Sequence, residues 1–104
     1  MTTPSFIAIV EFTVARADRP AALAQLESER RVVRAMPGCL GFRAFESVEN
    51  DTDLTVLHEW VDRTAFDDYL ASEAFARSGA VLRPLMTATP SSRRFQVELL
   101  DTVA

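Results

Sequence analysis

Between Phe6 and Val14 the chain alternates, and it is apolar on both sides of the alternation. Phe6, Ala8, Val10, Phe12 and Val14 would share one face of a strand; Ile7, Ile9, Glu11 and Thr13 would share the other. A strand with one wet face carries mostly polar residues there. This one demands a sheet covered twice. The 104 residues suit one domain, 1–104, large enough to bury a core without a disulfide or metal staple.

The remaining elements follow from periodicity and punctuation. Asp18 reads as a helix N-cap with Pro20 in the first turn, and the helix should run to about Ala35. Ala22, Leu26, Val33 and Met36 form its apolar stripe, with Leu23 beside them, and Glu27, Arg31 and Arg34 face away. Pro37-Gly38 turns the chain. Leu40–Val48 reads as a second strand with Leu40, Phe42 and Ala44 on one face and Arg43 and Phe45 on the other. A polar turn, 49–53, returns the chain antiparallel. In the third strand Leu54, Val56, His58 and Trp60 share a face, opposite Thr55, Leu57, Glu59 and Val61. Asp62 or Thr64 caps a short helix, and Ser72 caps another. Phe75, Gly79, Leu82 and Met86 make an apolar stripe on the latter, with a kink expected near Ala80 because of Pro84. Arg93–Leu100 closes as a strand, with Phe95, Val97 and Leu99 on one face and Arg94, Gln96, Glu98 and Leu100 on the other.

The order β-α-β-β-α-α-β favours an α+β, ferredoxin-like, four-stranded antiparallel sheet with all helices on one face. That leaves Ile7, Ile9, Phe45, Leu57 and Leu100 on an uncovered face, and an apolar patch of that kind is an interface. The simplest cover is the same face of a second copy, so a homodimer is expected. Arg43, Glu11 and Glu59 are read as serving that interface.

Charge and composition narrow the partners. The net charge is -4 with 11 arginines and no lysine, which argues against nucleic acid. No run approaches a membrane span, and the N-terminal stretch lacks the features of a secretion signal. The single cysteine, Cys39, allows no internal disulfide and suits a cytoplasmic protein. One histidine and one cysteine cannot build a usual zinc site, and three glycines leave no phosphate-cradling loop. No metal and no cofactor are expected.

What remains is a cavity between sheet and helices. The stretch LTVLHEWVDRTAFDDYL, Leu54–Leu70, holds the only Trp, His and Tyr of the chain. His58 and Trp60 would project together under the helices, with Tyr69 in reach. Val10, Phe12, Phe42, Phe66, Phe75 and Leu82 are the candidate lining residues, with Phe95 as a further wall. An aromatic cavity with a few polar tips is the usual form of a small-molecule site.

At these residues the chain resembles the antibiotic biosynthesis monooxygenase (ABM) domain family. The resemblance lies in PGCLGFRAFES, Pro37–Ser47; in LTVLHEWVDRTAFDDYLAS, Leu54–Ser72; and in FARSGAVLRPLM, Phe75–Met86. It implies a dimeric α+β barrel. It also implies oxidation of an electron-rich aromatic, phenolic or quinol compound by O₂ without metal or flavin, the substrate anion giving an electron to O₂ while the protein supplies a dry pocket. The family's strand-three tryptophan falls on Trp60, here expected as pocket wall. His58 would be general base or anion-stabilising donor, and Tyr69 a donor to a substrate oxygen. Two positions depart from the family pattern: Val10 stands where polyketide oxygenases carry Asn, and Tyr69 where many relatives carry His. His58 itself replaces an aliphatic residue. The alternatives are a non-catalytic small-molecule-binding dimer, and a cyclase, lyase or isomerase on the same barrel.

Overall fold

The computed structural model describes residues 3–104. Four antiparallel strands, β1 (Ser5–Thr13), β2 (Cys39–Glu46), β3 (Asp53–Trp60) and β4 (Ser91–Val97), form a sheet in the order β2-β3-β1-β4. Helices α1 (Arg19–Val33), α2 (Arg63–Leu70) and α3 (Glu73–Leu82) cover one face. This is the ferredoxin-like α+β arrangement, and no helix among the described residues is long and apolar enough to cross a membrane.

Strand alternation decides the core. Phe6, Ala8 and Phe12 of β1, Phe42 of β2 and Leu54, Val56, His58 and Trp60 of β3 are all buried under the helices. The pairings Phe6 with Trp60, Ala8 with His58, and Phe42 with His58 keep them on one side of the sheet. Ala22, Leu26 and Val33 of α1, Phe66 and Tyr69 of α2, and Leu82 of α3 close over them. Burying each of the larger side chains contributes roughly 1.5–3 kcal/mol.

Ser72 caps as expected, its hydroxyl accepting from the Phe75 N–H at 3.2 Å, and of the two candidates Asp62 and Thr64 it is the Asp62 carboxylate that accepts, from the Ala65 N–H at 2.9 Å. Asp18 is different. It ends a 3₁₀ turn, Arg16–Asp18, in right-handed helical geometry, and its side chain caps nothing. The chain enters α1 already turning, so the extended backbone a capping Asp needs is absent.

Three further expectations are corrected. Leu40 does not share the buried face: β2 shifts register between Cys39 and Gly41, and the extra residue is 56% exposed. Pro84 does not kink α3 at Ala80. The α-helix stops at Leu82 and a 3₁₀ turn, Arg83–Leu85, absorbs the proline, because a shorter-period turn leaves its missing N–H unneeded. The last strand lies earlier than the alternation suggests and with opposite parity. Phe95 pairs with Ile7 on the uncovered face, Arg94 pairs with Ala8 on the helix side, and Leu100 lies beyond the strand, 88% exposed. β4 is an edge strand exposed along nearly its whole length, so its own hydrophobic pattern is too weak to set the register; pairing with β1 sets it.

Candidate functional site

A cavity of about 240 Å³ lies between the sheet and the three helices. Val10, Phe12, Phe42, Phe66, Phe75 and Leu82 all line it. Alternation brings the strand residues to it, and the i, i+7 spacing of Phe75 and Leu82 brings those of α3. Phe95 does not take part, since its ring is on the other side of the sheet beside Arg93.

His58 and Tyr69 line the cavity; Trp60 does not. The indole is fully buried behind them, stacked on Tyr69 with ring centroids 5.3 Å apart. Its N–H donates to His58 Nδ1 at 2.7 Å. An indole nitrogen can only donate, so Nδ1 must carry the lone pair and the neutral ring must carry its proton on Nε2. Nε2, across the ring, has no protein partner among the described residues and is left for the cavity. Burial, and then the Arg94 charge, push the His58 pKa down to about 4. At neutral pH this imidazole is an N–H donor, and its basic nitrogen is occupied.

Tyr69 spends its proton elsewhere. Its hydroxyl donates to Glu29 Oε2, and the Ser78 hydroxyl donates to Glu29 Oε1. Glu29 is buried, lines the cavity, and pairs with no arginine among the described residues. Burial raises its carboxyl above the ordinary range, against the two hydroxyl donors. Burial and the neighbouring carboxylate hold Tyr69 well above the usual phenol range, so it stays protonated and offers its oxygen only as an acceptor. Arg94 crosses the Phe66 ring, 5.0 Å from its centroid, and with Arg83 brings positive charge to the cavity lining. No group of three or more His, Cys, Asp or Glu residues that could hold a metal occurs among the described residues.

The model of the antibiotic biosynthesis monooxygenase family, ABM, matches residues 5–80. The chain belongs to this family. The match takes in β1 and α1, where the motifs quoted from the sequence began only at Pro37, and it stops within α3, before β4. Solved structures share the ABM fold. A protein of Nitrosomonas europaea named for the same family superposes with a TM-score of 0.88 at 11% identity, over 93% of each chain. Rv0793 from Mycobacterium tuberculosis gives 0.82 at 22% identity, over 96% of this chain and 99% of that one. A conserved protein from Methanosarcina mazei gives 0.88 at 17%, over 92% and 95%. No curated protein matches.

Within this ABM-family chain, the sequence reading reached the apolar lining and missed most of the charge. Arg94 was placed on the wrong face with the parity of β4. Glu29 went unremarked, although a signal existed: Ala22, Leu26, Glu29 and Val33 stand at i, i+4, i+7 and i+11, which sets a carboxylate on the buried stripe of α1. Ser78 left no signal, because its meaning depends on the partner across the helix interface.

Proposed function

We propose that the protein is a monooxygenase that needs no resident cofactor and uses O₂ to oxidise an electron-rich phenolic or quinol compound held in this cavity. What supports the reading, beyond membership of the ABM family, is the geometry around His58. A partly open, largely apolar cavity offers a neutral imidazole N–H, fixed in one tautomer by the Trp60 indole, beside the positive charge of Arg94. A phenolate oxygen placed there gains a hydrogen bond and a favourable field, and its electron-rich ring packs against the aromatic lining. His58 acts as the donor that stabilises the anion, not as the base. Trp60 is a positioning residue that sets the tautomer, and Tyr69 accepts from a substrate hydroxyl. The apolar and aromatic lining aside, recognition rests on these few polar atoms. The functional unit is a homodimer joined through the uncovered sheet face.

The test is an oxygen-electrode screen of quinols, anthrones and flavonoids with wild type and His58→Phe, which keeps an aromatic ring and removes the N–H. Uptake by wild type and at least a roughly tenfold loss in the variant are expected, from the loss of one preorganised donor to a developing anion. Binding without oxygen uptake sinks the oxygenase reading and favours a binding dimer. Product formed without oxygen favours a cyclase, lyase or isomerase, a reading that the well-placed proton donors and acceptors also suit.

A further inference from the structure

Glu29 is a carboxyl group that the packing of three helices does not require. It joins α1 to Tyr69 of α2 and Ser78 of α3, but an apolar side chain on the same stripe would join them without desolvating a carboxylate. No cation compensates it at ion-pair distance among the described residues. It is 6% exposed and still forms part of the cavity wall. Its two oxygens accept one hydroxyl proton each, and a carboxylate has about four lone-pair positions, so acceptor capacity is left over. The charged and imidazole groups of the rest of the lining are of the other kind. His58 of β3 and Arg94 of β4 are donors, as is Arg83 beyond α3. Glu29 is the one anionic acceptor in that lining.

We propose that Glu29 is the catalytic base of the cavity, taking the proton of a bound phenol or quinol hydroxyl onto its own carboxylate. The proposal rests on the phenolic reading of the cavity given above. In the step, the substrate O–H bond breaks and an O–H bond forms on a Glu29 oxygen. The electron pair stays on the substrate oxygen, so the negative charge passes from Glu29 to the substrate and the charge of the cavity is unchanged. The anion ends beside His58 Nε2–H and Arg94, while the neutral carboxyl stays among hydroxyl groups that can donate to it or accept from it. No oxidant enters this step. Tyr69 and Ser78 are positioning residues: each hydrogen bond to Glu29 favours its charged form and weakens it as a base.

The step and that last point together supply the test. 4-Nitrophenol, whose anion absorbs visible light and whose neutral form does not, is bound without oxygen to wild type, Glu29→Gln and Ser78→Ala. The pH is set just below that at which the free phenol ionises. Wild type is expected to bind it largely as the anion. Because the proton stays on Glu29, wild type should release none to the medium as the phenol ionises on binding; Glu29→Gln, nearly isosteric but unable to take the proton, should release one for each phenol ionised, and Ser78→Ala, by removing a donor that favours charged Glu29, should raise the anion fraction. Proton release by wild type equal to that by Glu29→Gln overturns the assignment. So does a fall in Ser78→Ala, which would mean that packing alone was disturbed; this variant also decides the matter by itself should Glu29→Gln not fold. Failure of 4-nitrophenol to bind wild type overturns the phenolic reading, and this proposal with it.

Discussion

His58 and Trp60 stand two positions apart on β3, so a flat strand would simply aim them the same way. What makes them a unit is one hydrogen bond, the indole N–H to Nδ1 at 2.7 Å. It fixes the tautomer, and burial keeps the ring neutral, with a pKa of about 4. The consequence for stability has a definite sign. The folded histidine binds its proton more weakly than the unfolded one, whose pKa is about 6.5, so this residue lowers stability as pH falls from about 6.5 to about 4. The loss between pH 7 and pH 5 is about 2 kcal/mol. Glu29, raised instead of lowered, contributes with the opposite sign as pH rises above the ordinary carboxylate value. Denaturant titrations of wild type and His58→Leu at the two pH values separate them, since both proteins keep Glu29 and only wild type should show the histidine's slope. Because the chain has one histidine, its Cε1–H resonance gives a direct check: it should not titrate above pH 5. A midpoint near 6.5 would remove both the tautomer argument and the donor role.

At the scale of elements, the turn that carries α1 into β2 has the least freedom. Gly38 has φ of 81°, in the left-handed region, and its carbonyl accepts from the Val61 N–H at 2.8 Å. A Cβ there would stand 2.7 Å from Ala65 Cβ and 3.0 Å from Val61 Cγ2. The turn therefore presses against the end of β3 and the first turn of α2, the segment that sets His58, Trp60 and Tyr69 in place. Gly38→Ala should cost roughly 2–4 kcal/mol, combining left-handed strain with overpacking. Denaturant unfolding with an unchanged m-value would measure it, and a cost below about 0.5 kcal/mol would contradict the contact geometry. The same scale explains the errors at the edges. β2 takes an extra residue at Leu40 and β4 takes its parity from β1. Neither edge strand has a partner on its outer side, so a hydrophobic pattern alone constrains it weakly.

For the whole molecule, the notable feature is the sheet face that no helix covers. Ile7, Ile9 and Leu57 are half-buried there, and Phe45 and Phe95 are each 40% exposed. Charge on this face is already partly matched within one chain: Arg93 pairs with Glu11 at 3.2 Å, and Glu59 accepts from the Ser5 hydroxyl at 2.6 Å. That leaves an apolar centre with most of its charge matched and Arg43 lying over the Phe45 ring, which suits self-association better than capture of a charged partner. Sedimentation at micromolar concentration should give twice the 11.5 kDa of one chain. Leu57→Glu, which places a charge in the middle of the face, should give the single-chain mass with unchanged far-UV circular dichroism. A wild-type protein that sediments as one chain would refute the dimer.

Period and punctuation are local properties, and they were sufficient for what is local here. The strand faces of β1 and β3, the caps at Asp62 and Ser72, and the aromatic lining from Val10 to Leu82 were all readable from residues close in the chain, since alternation and helical spacing decide which way a side chain leaves its own backbone. The tertiary structure alone decided what those side chains do. Tyr69 is a donor to Glu29 because α1 crosses α2, His58 is a donor because an indole N–H blocks its other nitrogen, and Arg94 belongs to the cavity because β1 sets the register of β4. Hydrogen-bond roles and charges belong to pairs of residues, and for Glu29 those pairs are 40 and 49 positions apart in the chain, beyond the reach of any local pattern.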